Sequence, residues 1–223
     1  MKSITTLLLS LIGFLCLSPQ TSVPVEKEPR HKVKFENQYI RVLDVIFPPE
    51  YTTLFHTHAN DNVAVVISGG KRRVERLGEK PADGISKTGD ASFQKATYAH
   101  RITNTDEATL HFVDVEILAS PNLSKNITVR DKATGYQLIL ENERVRIYRL
   151  KLEAGQSTEF FTRELPNLTV VISPAKVQME SPKQKNRMED FKPGEFRWWA
   201  GSTSHRLKNM GLTNFEAIEI ELK

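Results

Sequence analysis

The sequence has one cysteine, Cys16, and no second one for it to pair with. That excludes an intrachain disulfide framework and a thiolate metal site, so stability must come from packed cores. Long apolar runs are missing too, apart from residues 7–17. This run is too short for a comfortable membrane span. It follows Lys2 and precedes Ser18, Pro19, Gln20, Thr21 and Ser22. A basic start, a short apolar stretch and small polar residues have the layout of a secretory signal over residues 1–22. A secreted or periplasmic protein is therefore expected, with no stable membrane span after cleavage. Helical periodicity is absent beyond that segment. So is a strong excess of one charge: the formal net charge is +4, and the densest basic group is Lys71-Arg72-Arg73. Such a group reads as a solvated strand end, and nucleic acid is not the expected partner.

What the chain does contain is one pattern written twice. Residues 35–116 recur as residues 140–221, 105 positions on, without a gap. Glu36-Asn37 returns as Glu141-Asn142, Arg41 as Arg146, and Val65-Val66-Ile67-Ser68 as Val170-Val171-Ile172-Ser173. Gly89 returns as Gly194, His100-Arg101 as His205-Arg206, Asn104 as Asn209 and Glu116 as Glu221. Each copy is long enough to bury its own core. Within a copy the signal is β: residues 41–47 (RVLDVIF), 63–68 (VAVVIS) and 110–118 (LHFVDVEIL) are β-branched or alternating. Turn clusters such as Pro48-Pro49, Gly69-Gly70 and Gly89-Asp90 separate these runs. Many short strands at regular spacing predict an all-β barrel or sandwich. The expected organisation is a linker at 23–31, a first barrel at 32–119, a connection at 120–135 and a second barrel at 136–223.

The copies differ where chemistry would sit. The first reads Phe55-His56-Thr57-His58 and the second Phe160-Phe161-Thr162-Arg163. On a strand, His56 and His58 share a face and can point into a barrel together. His100, near the start of another expected strand, completes a set of three. Three neutral imidazoles leave coordination positions open for water or substrate, as a catalytic metal requires. They suit iron, manganese or zinc without distinguishing among them. The competing reading is a set of histidines hydrogen-bonded inside the barrel without metal. His31, near the expected linker, reads as a surface residue.

These residues resemble the motifs of the cupin superfamily. His56-Thr57-His58 and Gly69 fit its first motif, with Asn62 where a glutamate stands. Gly89, His100 and Asn104 fit its second, with Lys95 and Thr97 replacing the usual proline and glycine. Gly194, His205 and Asn209 repeat the second motif. The resemblance implies a bicupin, two tandem jelly-roll β-barrels after the signal peptide. It also implies a divalent metal on His56, His58 and His100, and metal-dependent dioxygenase chemistry on a small organic molecule. Asn62 shares strand parity with the histidines and can offer a weak carbonyl ligand. Its twin Asn167 lies in the copy without the metal set, which favours a fold role. Phe93, Tyr98, Arg163, Trp198 and His205 are candidates for pocket walls. Arg163 is expected to meet an internal carboxylate, because buried charges need partners. The alternative is a non-catalytic binding or structural cupin. As partners, the readings leave a small-molecule ligand and either a homodimer or an intrachain pseudo-dimer.

Overall fold

The computed structural model describes residues 21–121, 129–130, 132–182 and 184–223. Nearly every element in it is a strand. The first half contains β1 (Val23–Pro24), β2 (His31–Glu36), β3 (Ile40–Phe47), β4 (His56–His58) and β5 (Asp61–Ser68). It continues with β6 (Gly70–Arg76), β7 (Ala82–Ser86), β8 (Ala91–Gln94), β9 (Tyr98–Asn104) and β10 (Leu110–Ile117). The second half contains β11 (Tyr136–Glu141), β12 (Val145–Leu152), β13 (Phe161–Arg163), β14 (Asn167–Val171) and β15 (Ala175–Ser181). It closes with β16 (Gln184–Phe191), β17 (Phe196–Trp199), β18 (Thr203–Asn209) and β19 (Phe215–Leu222). The 105-residue offset of the sequence is reproduced in the bounds of β11, β12, β13, β15, β17, β18 and β19.

Each half is a pair of facing sheets. In the first, β1-β4-β9-β6-β7 faces β2-β3-β10-β5-β8; in the second, β13-β18-β15-β16 faces β11-β12-β19-β14-β17. This is the all-β, two-barrel architecture expected from the sequence. Shared residues do shared structural work. Asn104 Nδ2 donates to the carbonyls of Phe47 and Ala108. Asn209 does the same to Leu152 and Thr213. Arg101 pairs with Glu75, and Arg206 with Glu180, at matching positions. Gly89 and Gly194 both have φ near +85°, a left-handed turn that disfavours side chains.

The two inner sheets also pack against each other. On β3, Leu43, Val45 and Phe47 face their own barrel, while Ile40 and Val42 face the other half. β10 divides likewise: Phe112 looks inward, and Val113, Val115 and Ile117 look across. They meet Val145, Ile147, Leu168, Val170, Ile218, Ile220 and Leu222 in one continuous core. A strand buried on both faces explains the short apolar run of residues 63–67. At about 1.5–3 kcal/mol per buried aliphatic side chain, this face outweighs the ion pairs around it. Polar ties reinforce it: Arg144 meets Asp61 at 3.2 Å, and Arg149 donates to Gly89 O at 2.7 Å. The halves therefore form an intrachain pseudo-dimer.

Two boundary expectations need correction. Residues 23–31 are not a linker. β1 pairs with β4, Val25 is buried in the first core, and His31 is the buried first residue of β2. A 3-10 turn, Val25–Lys27, joins them. The segment holds because Glu28 is buried and accepts N–H groups from Arg30 and His31. Likewise, Val129 and Ala133 of the expected connection pack on the second core. The expected signal, apart from Thr21 and Ser22, and residues 122–128 of the connection lie outside the described residues.

Candidate metal centre

β4 is three residues long, and its alternation turns His56 and His58 into the first barrel, both at most 1% exposed. β9 runs antiparallel beside it and sets His100 opposite His56. From the facing sheet, His31 reaches across. Its ring centre stands 4.4 Å from that of His56 and 6.3 Å from that of His58. The His100 ring lies 4.5 Å from His56 and 5.1 Å from His58. The His100 ring thus neighbours both histidines of the pair, but the three whose potential ligand atoms cluster are His56, His58 and His31. The potential ligand atoms of His31, His56 and His58 all lie within 4.8 Å of one another.

The ring nitrogens divide into two groups. His56 Nδ1 donates to Leu54 O at 2.9 Å, which leaves a lone pair on Nε2. His31 Nδ1 meets Glu28 Oε2 at 2.7 Å. By contrast, His56 Nε2, His100 Nε2 and both ring nitrogens of His58 are buried without a hydrogen-bond partner among the described residues. Each such atom costs about 1–3 kcal/mol if nothing satisfies it. Burial first, then the His31 charge, holds the His56 pKa down at about 3. Burial lowers His58 as well, and takes His100 well below the ordinary histidine range. Neutral imidazoles with free lone pairs are what a divalent metal needs. The residues fit the group.

Glu28 braces this set from behind. Burial pulls its pKa up, but the bonds from His31 and the Arg30 N–H outweigh that and keep it low. A carboxylate behind a ligating histidine fixes ring orientation and raises ligand basicity.

A cavity of about 140 Å³ opens beside the histidines, lined by His31, His58 and His100. Its apolar wall includes Phe47, Val66, Val74, Ile102 and Phe112; its polar wall includes Asn62, Arg72, Arg76, Gln94, Tyr98 and Asp114. Tyr98 lines the cavity, stacked on His58 at 4.8 Å. Its hydroxyl donates to Asn62 Oδ1 at 2.8 Å, and Asn62 Nδ2 donates to Asp114 Oδ1 at 2.6 Å. Asn62 is thus occupied at both ends of its amide and serves the network rather than a metal. Asp114 Oδ2 lies 3.5 Å from His58 Nδ1, an electrostatic approach without hydrogen-bond geometry.

The other expected pocket residues sit elsewhere. Phe93 packs against the core between the halves, because its strand neighbours Ser92 and Gln94 take the cavity face. Trp198 packs there too, 6.3 Å from Phe35 and 6.2 Å from Tyr39. Arg163 and His205 are interior fill, at 1% and 2% exposure. Arg163 meets Glu219 at 2.7 Å and Tyr136 Oη at 2.8 Å, and donates to His205 Nε2. The internal carboxylate expected for Arg163 is therefore Glu219. Arg130 adds a second guanidinium, 3.2 Å from Glu219 and 4.7 Å from the Tyr148 ring centre. In the second barrel these groups stand where the first has its histidines.

Sequence reasoning missed His31, Asp114, Arg72 and Arg76. Asp114 left a signal: an acid recurs at its position as Glu219, as Glu116 recurs at Glu221. The basic group also divides by strand parity. Arg72 turns to the cavity, while Lys71 and Arg73 are exposed.

No protein-family description matches the sequence, and no curated protein matches it. Solved structures do match the fold. A cupin 2 conserved barrel domain protein from Leptotrichia buccalis superposes with a TM-score of 0.54 at 11% identity, over 85% of this chain and 86% of that one. Oxalate decarboxylase from Lactobacillus farciminis gives 0.60 at 13% identity, over 83% and 77%. Salicylate 1,2-dioxygenase from Pseudaminobacter salicylatoxidans gives 0.58 at 13% identity, over 82% and 71%. The chain has the cupin fold, twice over.

Proposed function

We propose that the first barrel is a divalent-metal centre and that the chain is a metal-dependent cupin enzyme of the oxygenase kind. His56, His58 and His100 hold the ion, joined by His31. One observation carries this reading: buried nitrogens on His56, His58 and His100 have no hydrogen-bond partner among the described residues. The dioxygenase and decarboxylase among the similar folds support an enzymatic cupin. Iron, manganese or zinc would supply Lewis acidity, and iron also redox chemistry with dioxygen. The chain's own residues do the rest. The apolar wall excludes water around a small organic substrate. Tyr98 and Asn62 fix Asp114, whose carboxylate lines the cavity beside His58. We place this chemistry outside the cytoplasm on residues 1–22 alone.

The test is metal analysis of untagged protein. About one divalent ion per chain is expected, held tightly enough to raise thermal stability. His56→Ala/His58→Ala should remove both the ion and the stabilisation. Metal-free wild type whose stability is indifferent to that double substitution would end the reading. With metal present, oxygen uptake against phenols and diketones separates oxygenase from simple binding.

A further inference from the structure

Among the described residues, two arginines on the cavity wall have no carboxylate partner. β6 alternates, so Arg72, Val74 and Arg76 face the cavity while Arg73 faces out. Arg73 is paired with Asp83 at 2.8 Å. Arg72 has one protein partner among the described residues, Ser86 Oγ, reached by its Nε at 2.6 Å. Arg76 donates to Gln94 Oε1 at 3.0 Å and lies over the Tyr98 ring at 5.2 Å. Neither partner is charged. Arg76 also stands opposite His100 in the β6–β9 register, so the cationic wall adjoins the histidines. Among the described residues, the one carboxylate lining the cavity is Asp114, already engaged by Asn62 and beside His58.

Half-buried guanidinium groups without anions are uncommon, because desolvation is offset by pairing. Burial alone lowers the Arg72 pKa, with no carboxylate acting to raise it. The buried arginines have their acids: Arg163 has Glu219, and Arg130 has Glu219 and Glu221. We infer that a ligand supplies the missing anion: the first barrel takes a small organic carboxylate, held by Arg72 and Arg76. This rests on the barrel being the substrate site proposed above. The planar guanidinium fork matches carboxylate and phosphate alike. The apolar wall of Val74, Ile102 and Phe112 favours an organic anion, since phosphate has nothing to place against it. Size is bounded as well. A cavity of about 140 Å³ resembles in volume one of about 150 Å³ that holds benzene.

The experiment titrates the full chain, chelator-treated and zinc-loaded, with benzoate, oxalate, benzamide and phosphate, and assays metal content on the same samples. Saturable carboxylate binding is expected. Arg72→Gln and Arg76→Gln should each weaken it about tenfold or more, the worth of a charged hydrogen bond. Arg73→Gln should leave it unchanged. Arg72→Lys keeps the charge and should bind at intermediate strength, which guards against misfolding of the glutamine variant. Benzamide binding as tightly as benzoate would overturn the inference. So would equal loss in Arg73→Gln, phosphate outcompeting both carboxylates, or no binding in either form. Carboxylate binding without any metal uptake keeps the inference and ends the metal-centre reading. Metal uptake without carboxylate binding does the reverse.

Discussion

A guanidinium at 1% exposure persists only with partners, and Arg163 has Glu219, Tyr136 and His205. The arrangement fixes protonation. Burial and then the Arg163 charge hold the His205 pKa at about 3. Burial raises that of Glu219, but Arg163 and Arg130 bring it down to about 2. In the unfolded chain the same groups titrate at about 6.5 and about 4.3. Both folded values are depressed, so the unfolded chain binds protons first and stability falls with acidification. The His205 contribution is complete above its unfolded pKa and is lost as pH falls toward its folded one. His205→Gln should still accept from Arg163 but cannot titrate. Urea denaturation between pH 7 and 4 should show a steeper wild-type slope, the excess rising to about 1.4 kcal/mol per pH unit below the unfolded pKa. Parallel curves would show that His205 is not held neutral.

At the scale of elements, the N-terminal segment matters beyond its length. Glu28 accepts from His31 and the Arg30 N–H, and its other oxygen lies 3.4 Å from the Leu54 N–H. Leu54 in turn receives the His56 ring. One carboxylate thus orients two of the four histidines. Glu28→Ala should lower zinc affinity about 10–100-fold, the usual cost of losing such a brace. A zinc titration that matches wild type would show that His31 and His56 orient themselves. The sequence hid this element for a physical reason. Among residues 23–31, Val25 is the one buried aliphatic side chain, and Glu28 and His31 are buried as a polar pair. Apolar patterning cannot see a segment held by hydrogen bonds. Parity did better: it placed His56 and His58 on one face. The same rule would have split Arg72 from Arg73. Phe93 and Trp198 went astray because each inner sheet buries both faces. An aromatic residue there has two interiors to choose from.

At the scale of the molecule, the repeat was legible because both copies kept their turn and pairing residues, Gly89 and Asn104 among them. The contact between the halves was less so, since no single strand announces which buried face belongs to which core. That contact makes a prediction. Residues 129–223 produced alone would expose Val145, Ile147, Leu168, Val170, Ile218 and Ile220 as a broad apolar face. The fragment should self-associate in light scattering. A stable, monodisperse monomer would show that the face can be left open.

A homodimer built on the same two sheets would come apart on dilution. Here Arg144, which follows the connection, reaches back to Asp61 and the Ile117 carbonyl. One chain carries both sides of the contact, so each meets the other at an effective concentration set by the tether and not by the solution. The pairing should persist at any protein concentration, however sparse the molecules around it.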